Sequence, residues 1–174
     1  MSTTPILFTI GHSTRELEEF LDLLKQNKIE KLIDIRRFPG SRKYPQYNQD
    51  NLKKSLEKND IIYEHALGLG GRRKPHEDSK NTVWKNKSLQ AYADYMETDE
   101  FAKAIAKLKE EAKQITTVIM CSEAVWWRCH RSMISDYLKA QGWDVEHILS
   151  PTNIQEHPYT APAKIVDGKL TYQK

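Results

Sequence analysis

Short apolar runs alternate along the chain with stretches in which apolar residues recur at helical spacing. Ile6–Ile10 is a β-capable run that ends at Gly11-His12-Ser13-Thr14. Leu17, Phe20, Leu21, Leu23 and Leu24 then repeat with helical period, with Ser13 or Thr14 as the expected N-cap and Glu16 in the first turn. Lys31–Ile35 predicts a second strand, closed by Pro39 and Gly40, and the segment through Tyr47 reads as loop. Asn48–Lys58 predicts a short polar helix with Leu52 and Leu56 four apart, and Ile61–Glu64 a third strand. Residues 74–88 form a long polar loop whose one large apolar anchor is Trp84. Loops of that length in a compact domain are usually functional or mobile.

From Leu89 to about Gln114 the pattern is helical, with a break near Thr98-Asp99, where Thr98-Asp99-Glu100 supplies a cap and an acidic first turn. Thr116–Met120 predicts the fourth strand. Met133, Ile134, Tyr137 and Leu138 mark a helix that Gly142 ends, and Asp144–Leu149 a fifth strand closed by Ser150-Pro151. The tail, 160–174, carries a hairpin signal from Lys164 to Tyr172 with Asp167-Gly168 as its turn. This order predicts one α/β domain over 1–174, built in three layers. Its sheet is mainly parallel and five-stranded, Rossmann-like in the loose sense, and a C-terminal hairpin follows.

Composition narrows the function classes. At 174 residues, 39% hydrophobic and 29% charged, the chain reads as an ordinary soluble domain with a sizeable core. No apolar run reaches the ~18 residues that span a membrane. Met-Ser-Thr-Thr-Pro lacks the basic start and apolar centre of a secretory signal, so the expected location is cytoplasmic, with no membrane partner. The two cysteines, Cys121 and Cys129, are then thiols before they are a bridge. A formal charge of +3 is too small to argue for duplex DNA by itself. Lysines crowd the helical stretches, whereas the arginines, at 15, 36, 37, 42, 72, 73, 128 and 131, fall elsewhere. Arginine's planar fork suits phosphate and carboxylate, although chance and surface ion pairs give the same pattern.

Those arginines cluster at strand ends. The first strand gives His12 and Ser13, the second Asp34, Arg36, Arg37 and Arg42. The third gives His65 and, beyond Gly68-Leu69-Gly70-Gly71, Arg72 and Arg73. The fourth gives Cys121, Glu123, Arg128, Cys129, His130 and Arg131. In a parallel sheet the carboxyl ends of strands share one edge, so these segments should converge on one site.

Thr9-Ile10-Gly11-His12-Ser13-Thr14, Asp34-Ile35-Arg36-Arg37-Phe38-Pro39-x-Ser41-Arg42, Leu67-Gly68-Leu69-Gly70-Gly71 and Cys121-x-Glu123 with Cys129-His130-Arg131 resemble the family catalogued as domain of unknown function 488. The motifs occur in matching order over nearly the whole chain. The resemblance implies an intracellular protein of bacterial or archaeal type with a site built from these motifs. It implies no substrate.

Each residue has two readings. Cys121, closing a strand, is a nucleophile made acidic by Arg128, Arg131 and a helix N-terminus, or a small buried core residue. A phosphatase-type loop requires arginine six positions after the cysteine, and that position is Trp127. Glu123 is a general acid or base, or the partner of Arg36 or Arg128. Cys129 reads as packed more than catalytic, while His130, His12 and His65 are acid–base groups or backbone donors. Asp34 binds a ribose hydroxyl or orients an arginine. Phe38, Tyr44, Tyr47, Trp84, Trp126 and Trp127 either stack on a base or pack the loops. No cofactor is expected. A zinc or other transition-metal site would draw on Cys121, Cys129 and His130, but the spacing is unspecific. Glycines 68, 70 and 71 lack the following helix of a dinucleotide fingerprint.

The leading expectation is a hydrolase or transferase with Cys121, Glu123 and His130 as catalytic groups. Its substrate would be a phosphorylated small molecule, a nucleotide or a nucleic-acid end. The substrate-binding groups would be His12, Ser13, Asp34, Arg36, Arg37, Arg42, His65, Arg72, Arg128 and Arg131. The alternatives are a non-catalytic nucleotide or single-stranded nucleic-acid binding module, and a thiol or metal sensor.

Overall fold

The computed structural model describes residues 4–40, 42–71 and 73–173. Five strands run parallel: β1 (Ile6–Gly11), β2 (Lys31–Asp34), β3 (Ile62–His65), β4 (Thr117–Cys121) and β5 (Asp144–Ser150). A sixth, β6 (Asn153–Glu156), returns antiparallel along β5, and the order across the sheet is β3-β2-β4-β1-β5-β6. The helices are α1 (Leu17–Gln26), α2 (Gln49–Lys58), α3 (Lys87–Tyr95), α4 (Asp99–Gln114) and α5 (Arg131–Ala140). β7 (Lys164–Val166) and β8 (Lys169–Thr171) form a separate hairpin. The α/β class, the parallel sheet and the hairpin are those the sequence predicts. β6 is the addition to the five predicted strands. Asn-Ile-Gln-Glu lies mostly exposed at the sheet edge, so it carries no half-buried alternation to read.

Strand alternation sorts the core into two layers. Leu32, Val118, Met120 and Ile10 face one side and meet Phe20, Leu23 and Leu24 of α1 and Leu52 and Leu56 of α2. Ile33, Ile119, Cys121 and Leu7 face the other and meet Tyr92 of α3, Phe101, Ile105 and Leu108 of α4, and Met133, Ile134 and Leu138 of α5. Burying each of these large side chains stabilises the fold by about 1.5–3 kcal/mol. Among the described residues no helix is long and apolar enough to cross a membrane.

Helix ends follow local chemistry. Thr98 caps α4 by accepting from the Phe101 N–H, and Asn86 caps α3 by accepting from the Ser88 and Leu89 N–H groups. The expected cap of α1 by Ser13 or Thr14 does not form: the cap position is Glu16, with no side-chain bond, and Ser13 turns the chain at φ +48°. The long loop before α3 is pinned rather than loose. The Asp94 carboxylate accepts from the His76 N–H, the Ser79 hydroxyl and the Asn81 amide, and Trp84 packs edge-on against Tyr172.

A buried polar chain crosses the layer between α5 and β5. The Arg131 Nη1–H donates to the Thr9 hydroxyl at 3.2 Å, and Thr9 bonds to His147 Nδ1. His147 Nε2–H donates to His157 Nδ1 at 2.8 Å, and His157 Nε2–H donates to Asp136 at 2.7 Å. The Asp136 carboxylate also accepts from the Tyr172 and Thr160 hydroxyls and the Thr160 N–H. The acceptor at the end of the chain, a carboxylate, fixes the direction of every donor before it. Trp126 stacks on His147 at 4.9 Å and covers the pair. Removing one partner of a buried charged network leaves the others desolvated and unpaired. Asp136→Ala is expected to lower stability by about 3–5 kcal/mol, read as a fall in the urea midpoint, and a variant whose midpoint matches wild type would contradict this account.

Candidate functional site

Helix placement decides where a site forms. β1 and β2 lead to α1 and α2 on one face, whereas β4 leads to α5 on the other. The connection of β4 therefore departs from both neighbours in the sheet, and a crevice opens at the carboxyl ends of β1, β4 and β2. A cleft of about 590 Å³ occupies that position. His12, Ser13, Arg36, Arg37, Cys121, Glu123, Arg128, Cys129 and His130 reach its wall, joined by Lys43, Tyr44 and residues 86, 88 and 89 at the start of α3.

β1 and β4 approach so closely that Gly11 has no room for a side chain. A Cβ there would sit 1.6 Å from the Glu123 carbonyl oxygen. The His12 and Ser13 N–H groups donate to the carbonyls of Cys121 and Ser122, both at 3.0 Å, which extends the parallel ladder into the site. Arg131 completes this junction. Fully buried, it donates through Nη2 to the carbonyls of Glu123 and Ala124, and it is absent from the cleft wall. Its role in the fold is to clamp the loop after β4, where the sequence reading had it holding an anion.

Asp34 and Arg36 form the floor. The Asp34 carboxylate accepts from Arg36 Nε at 2.9 Å, from Nη2 at 2.7 Å and from the Tyr63 hydroxyl at 2.7 Å. Arg36 is thereby mostly neutralised, and its Nη1 points at His12 Nε2, 3.4 Å away. His12 donates from Nδ1 to the Ser13 carbonyl and stacks on Tyr47, so its Nε2 lone pair faces Arg36. Burial above all, with Arg36, lowers the imidazole from 6.5 to about 4, against the Ser13 carbonyl and Asp34. His65 does not reach the cleft: its Nε2–H donates to the Arg36 carbonyl and braces the floor from β3.

The two thiols lie at the α5 end of the cleft. The Cys121 thiol, pushed up by burial and by Cys129, donates to the Glu123 carbonyl at 3.6 Å. The Cys129 thiol is held down, chiefly by hydrogen bonding from Cys121 and also by Arg131, whose backbone N–H donates to its sulfur at 3.5 Å. His130 Nδ1 lies 3.4 Å from the same sulfur, while Nε2–H donates to the Ile35 carbonyl at 3.0 Å. That bond orients the ring and leaves Nδ1 as a lone pair, and burial holds the imidazole down in its neutral form. A Cβ on Gly71 would come within 3.0 Å of Nδ1, so the glycine-rich segment is shaped to this ring.

The lip is cationic. Arg37, Lys43 and Arg128 border the opening, and none pairs with a carboxylate among the described residues. Glu123 is exposed beside them and forms no ion pair with Arg36 or Arg128. Phe38, 63% exposed, lies against Arg37. Arg42 is exposed and off the wall, and Arg72 and Ser41 lie outside the described residues. Cys121, Cys129 and His130 do not assemble into a metal-holding group, and no such group occurs among the described residues.

Lys43 and the start of α3 escaped the sequence reading because nothing local marks them; tertiary closure alone brings them to the wall. Asp136 did leave a signal, an acid within the apolar stripe of Met133, Ile134 and Leu138.

Two outcomes test this geometry. Gly11→Ala should displace the loop after β4 and lower stability by about 1–3 kcal/mol or more, measured by urea unfolding. The unfolded chain takes up a proton on His12 near pH 6.5, whereas the folded chain resists until about 4. Its contribution to stability is therefore complete above pH 6.5 and is lost as pH falls toward 4. His12→Gln should flatten that part of the stability–pH curve, and an unchanged slope would refute the assignment.

No curated protein and no solved structure matches the chain. A family model does, over residues 16–138, a span from α1 to α5 that takes in the β2 and β4 segments of the cleft. The chain belongs to the family described as Domain of unknown function DUF488.

Proposed function

We propose that the protein is a hydrolase or transferase whose cleft holds a phosphorylated, nucleotide-like substrate and attacks it with a cysteine thiolate. One observation carries the reading: Cys129 and His130 meet as a thiol–imidazole pair in the same cleft as Arg37, Lys43 and Arg128. The cleft volume, about 590 Å³, falls in the range of small-ligand sites. Phosphate oxygens occupy the lip, where arginine forks bind them bidentately. Phe38 and Tyr44 line the same cleft, the kind of ring on which a base stacks.

Cys129 is the better nucleophile of the two. Its proton passes to His130 Nδ1, the Ile35 carbonyl steadies the resulting imidazolium through Nε2–H, and the Arg131 N–H stabilises the sulfur anion. Glu123 at the lip is placed to exchange a proton with the leaving group or with an incoming water. Arg36 and Asp34 act as a rigid floor that presents Nη1 and His12.

A binding module without catalysis is the second reading, favoured by the exposed Phe38 and Trp127 beside cations. It would keep its affinity for oligonucleotides or nucleotides after Cys129→Ser.

Iodoacetamide at neutral pH, read by peptide mass spectrometry, should label Cys129 before Cys121, and phosphate or a nucleotide should slow the labelling. In a panel of phosphorylated and nucleotide substrates, Cys129→Ser should lower turnover by more than about 10³-fold. Arg37→Ala with Arg128→Ala should weaken phosphate binding at least roughly tenfold. Labelling confined to Cys121, or unaffected by anions, would overturn the reading.

A further inference from the structure

Ser13 holds a conformation that its side chain disfavours, and it does so on the wall of the cleft. The Arg15 N–H donates to the His12 carbonyl at 3.1 Å and closes a tight turn whose first central residue is Ser13, at φ +48°. Glycine takes such a position with least strain, because a Cβ makes positive φ unfavourable. Among the described residues three others with side chains share this region of φ, each for a local reason. Lys28 and Asp60 follow the ends of α1 and α2, and Asp167 makes the Asp-Gly turn of the hairpin. Ser13 follows no helix and joins no hairpin. A strained residue that persists on a cleft wall points to a use for its side chain. The Ser13 backbone is engaged in the fold, since its N–H donates to the Ser122 carbonyl and its carbonyl accepts from His12 Nδ1, both at 3.0 Å. What remains for a ligand is the hydroxyl. Thr14 and Ser122 line the same wall, and among the described residues none of the three hydroxyls has a protein partner. The turn brings no cation to the wall, because the Arg15 guanidinium is engaged by the Gly11 and Leu149 carbonyls. Glu123, next to Ser122 in the chain, adds a negative charge that repels a phosphoryl group. This end of the cleft therefore suits neutral hydroxyl groups, and the cationic lip suits the phosphate.

We infer that Ser13, with Thr14 and Ser122, forms a subsite for the sugar hydroxyls of a phosphorylated ribosyl substrate. This rests on the reading above that the lip binds the phosphate. A hydroxyl donates and accepts at once, so these three pair with neighbouring alcohol groups in either direction. A site built around a substrate hydroxyl discriminates against the analogue that lacks it. The strain at Ser13 is retained for that recognition. Glycine would relax the turn and bring no hydroxyl, whereas alanine would keep the strain and bring none either.

The test is calorimetric titration of the full chain with inorganic phosphate, ribose 5-phosphate and 2-deoxyribose 5-phosphate, with urea midpoints measured alongside. Wild type should bind ribose 5-phosphate roughly three- to tenfold more tightly than the deoxy sugar, as expected for one hydrogen bond. Ser13→Gly and Ser13→Ala should each cut that preference to less than about twofold. Their stabilities should part, with the glycine variant unfolding at higher urea, because only alanine keeps a Cβ at positive φ. A shared loss of preference in two variants of different stability assigns the effect to the hydroxyl and not to a damaged fold. Equal affinity of wild type for the two sugars, or a preference that survives Ser13→Gly, would overturn the inference. In that event, phosphate binding that Arg37→Ala with Arg128→Ala weakens would leave the reading of the lip standing. Failure of wild type to bind any of the three ligands would sink both.

Discussion

A single guanidinium holds the two halves of this molecule in register. Arg131, in the first turn of α5, is buried where β1 and the loop after β4 meet, and it donates to β1 through Thr9 and to the loop through Glu123 and Ala124. Its charge is answered from a distance, through Thr9, His147 and His157, by the carboxylate of Asp136. The cleft wall inherits its shape from this arrangement. Cys121, Glu123 and Cys129 stand where they do because the loop that carries them is tied to the back of the sheet, away from any ligand.

The cleft separates neutral depth from charged surface. At the floor, Asp34 meets Arg36, and burial holds His12 and His130 in their uncharged forms. At the lip, Arg37, Lys43 and Arg128 keep their charge without carboxylate partners among the described residues. An entering anion therefore meets attraction first and desolvated donors second. Interactions of the same geometry strengthen as water is left behind.

Period and strand position were enough to place most of this in advance. Five parallel strands, the hairpin, and the convergence of the ends of β1, β2 and β4 all follow from alternating apolar runs that end in polar residues. Individual roles were less legible. Arg131 and Arg36 carry the same side chain, yet one is locked into the fold and the other floors the cleft, because helical phase and strand exit, not residue type, decide burial. His65 follows the same logic: one pairing position along β3 turns it into a brace for Arg36. Which thiol is the more acidic depends on a backbone N–H and a neighbour's proton, and neither is written in spacing.

The Asp136 knot also sets an order in time. Its four donors come from His157, Thr160 and Tyr172, which are 21, 24 and 36 residues further along the chain. A polypeptide that has left the ribosome only through β5 holds a bare carboxylate on the buried face of α5, beside Met133 and Ile134. The sheet can pair at that stage, but the layer beneath α5 cannot dry until the segment through Tyr172 arrives. Burial of the Asp136 carboxylate thereby waits on the segment from His157 to Tyr172.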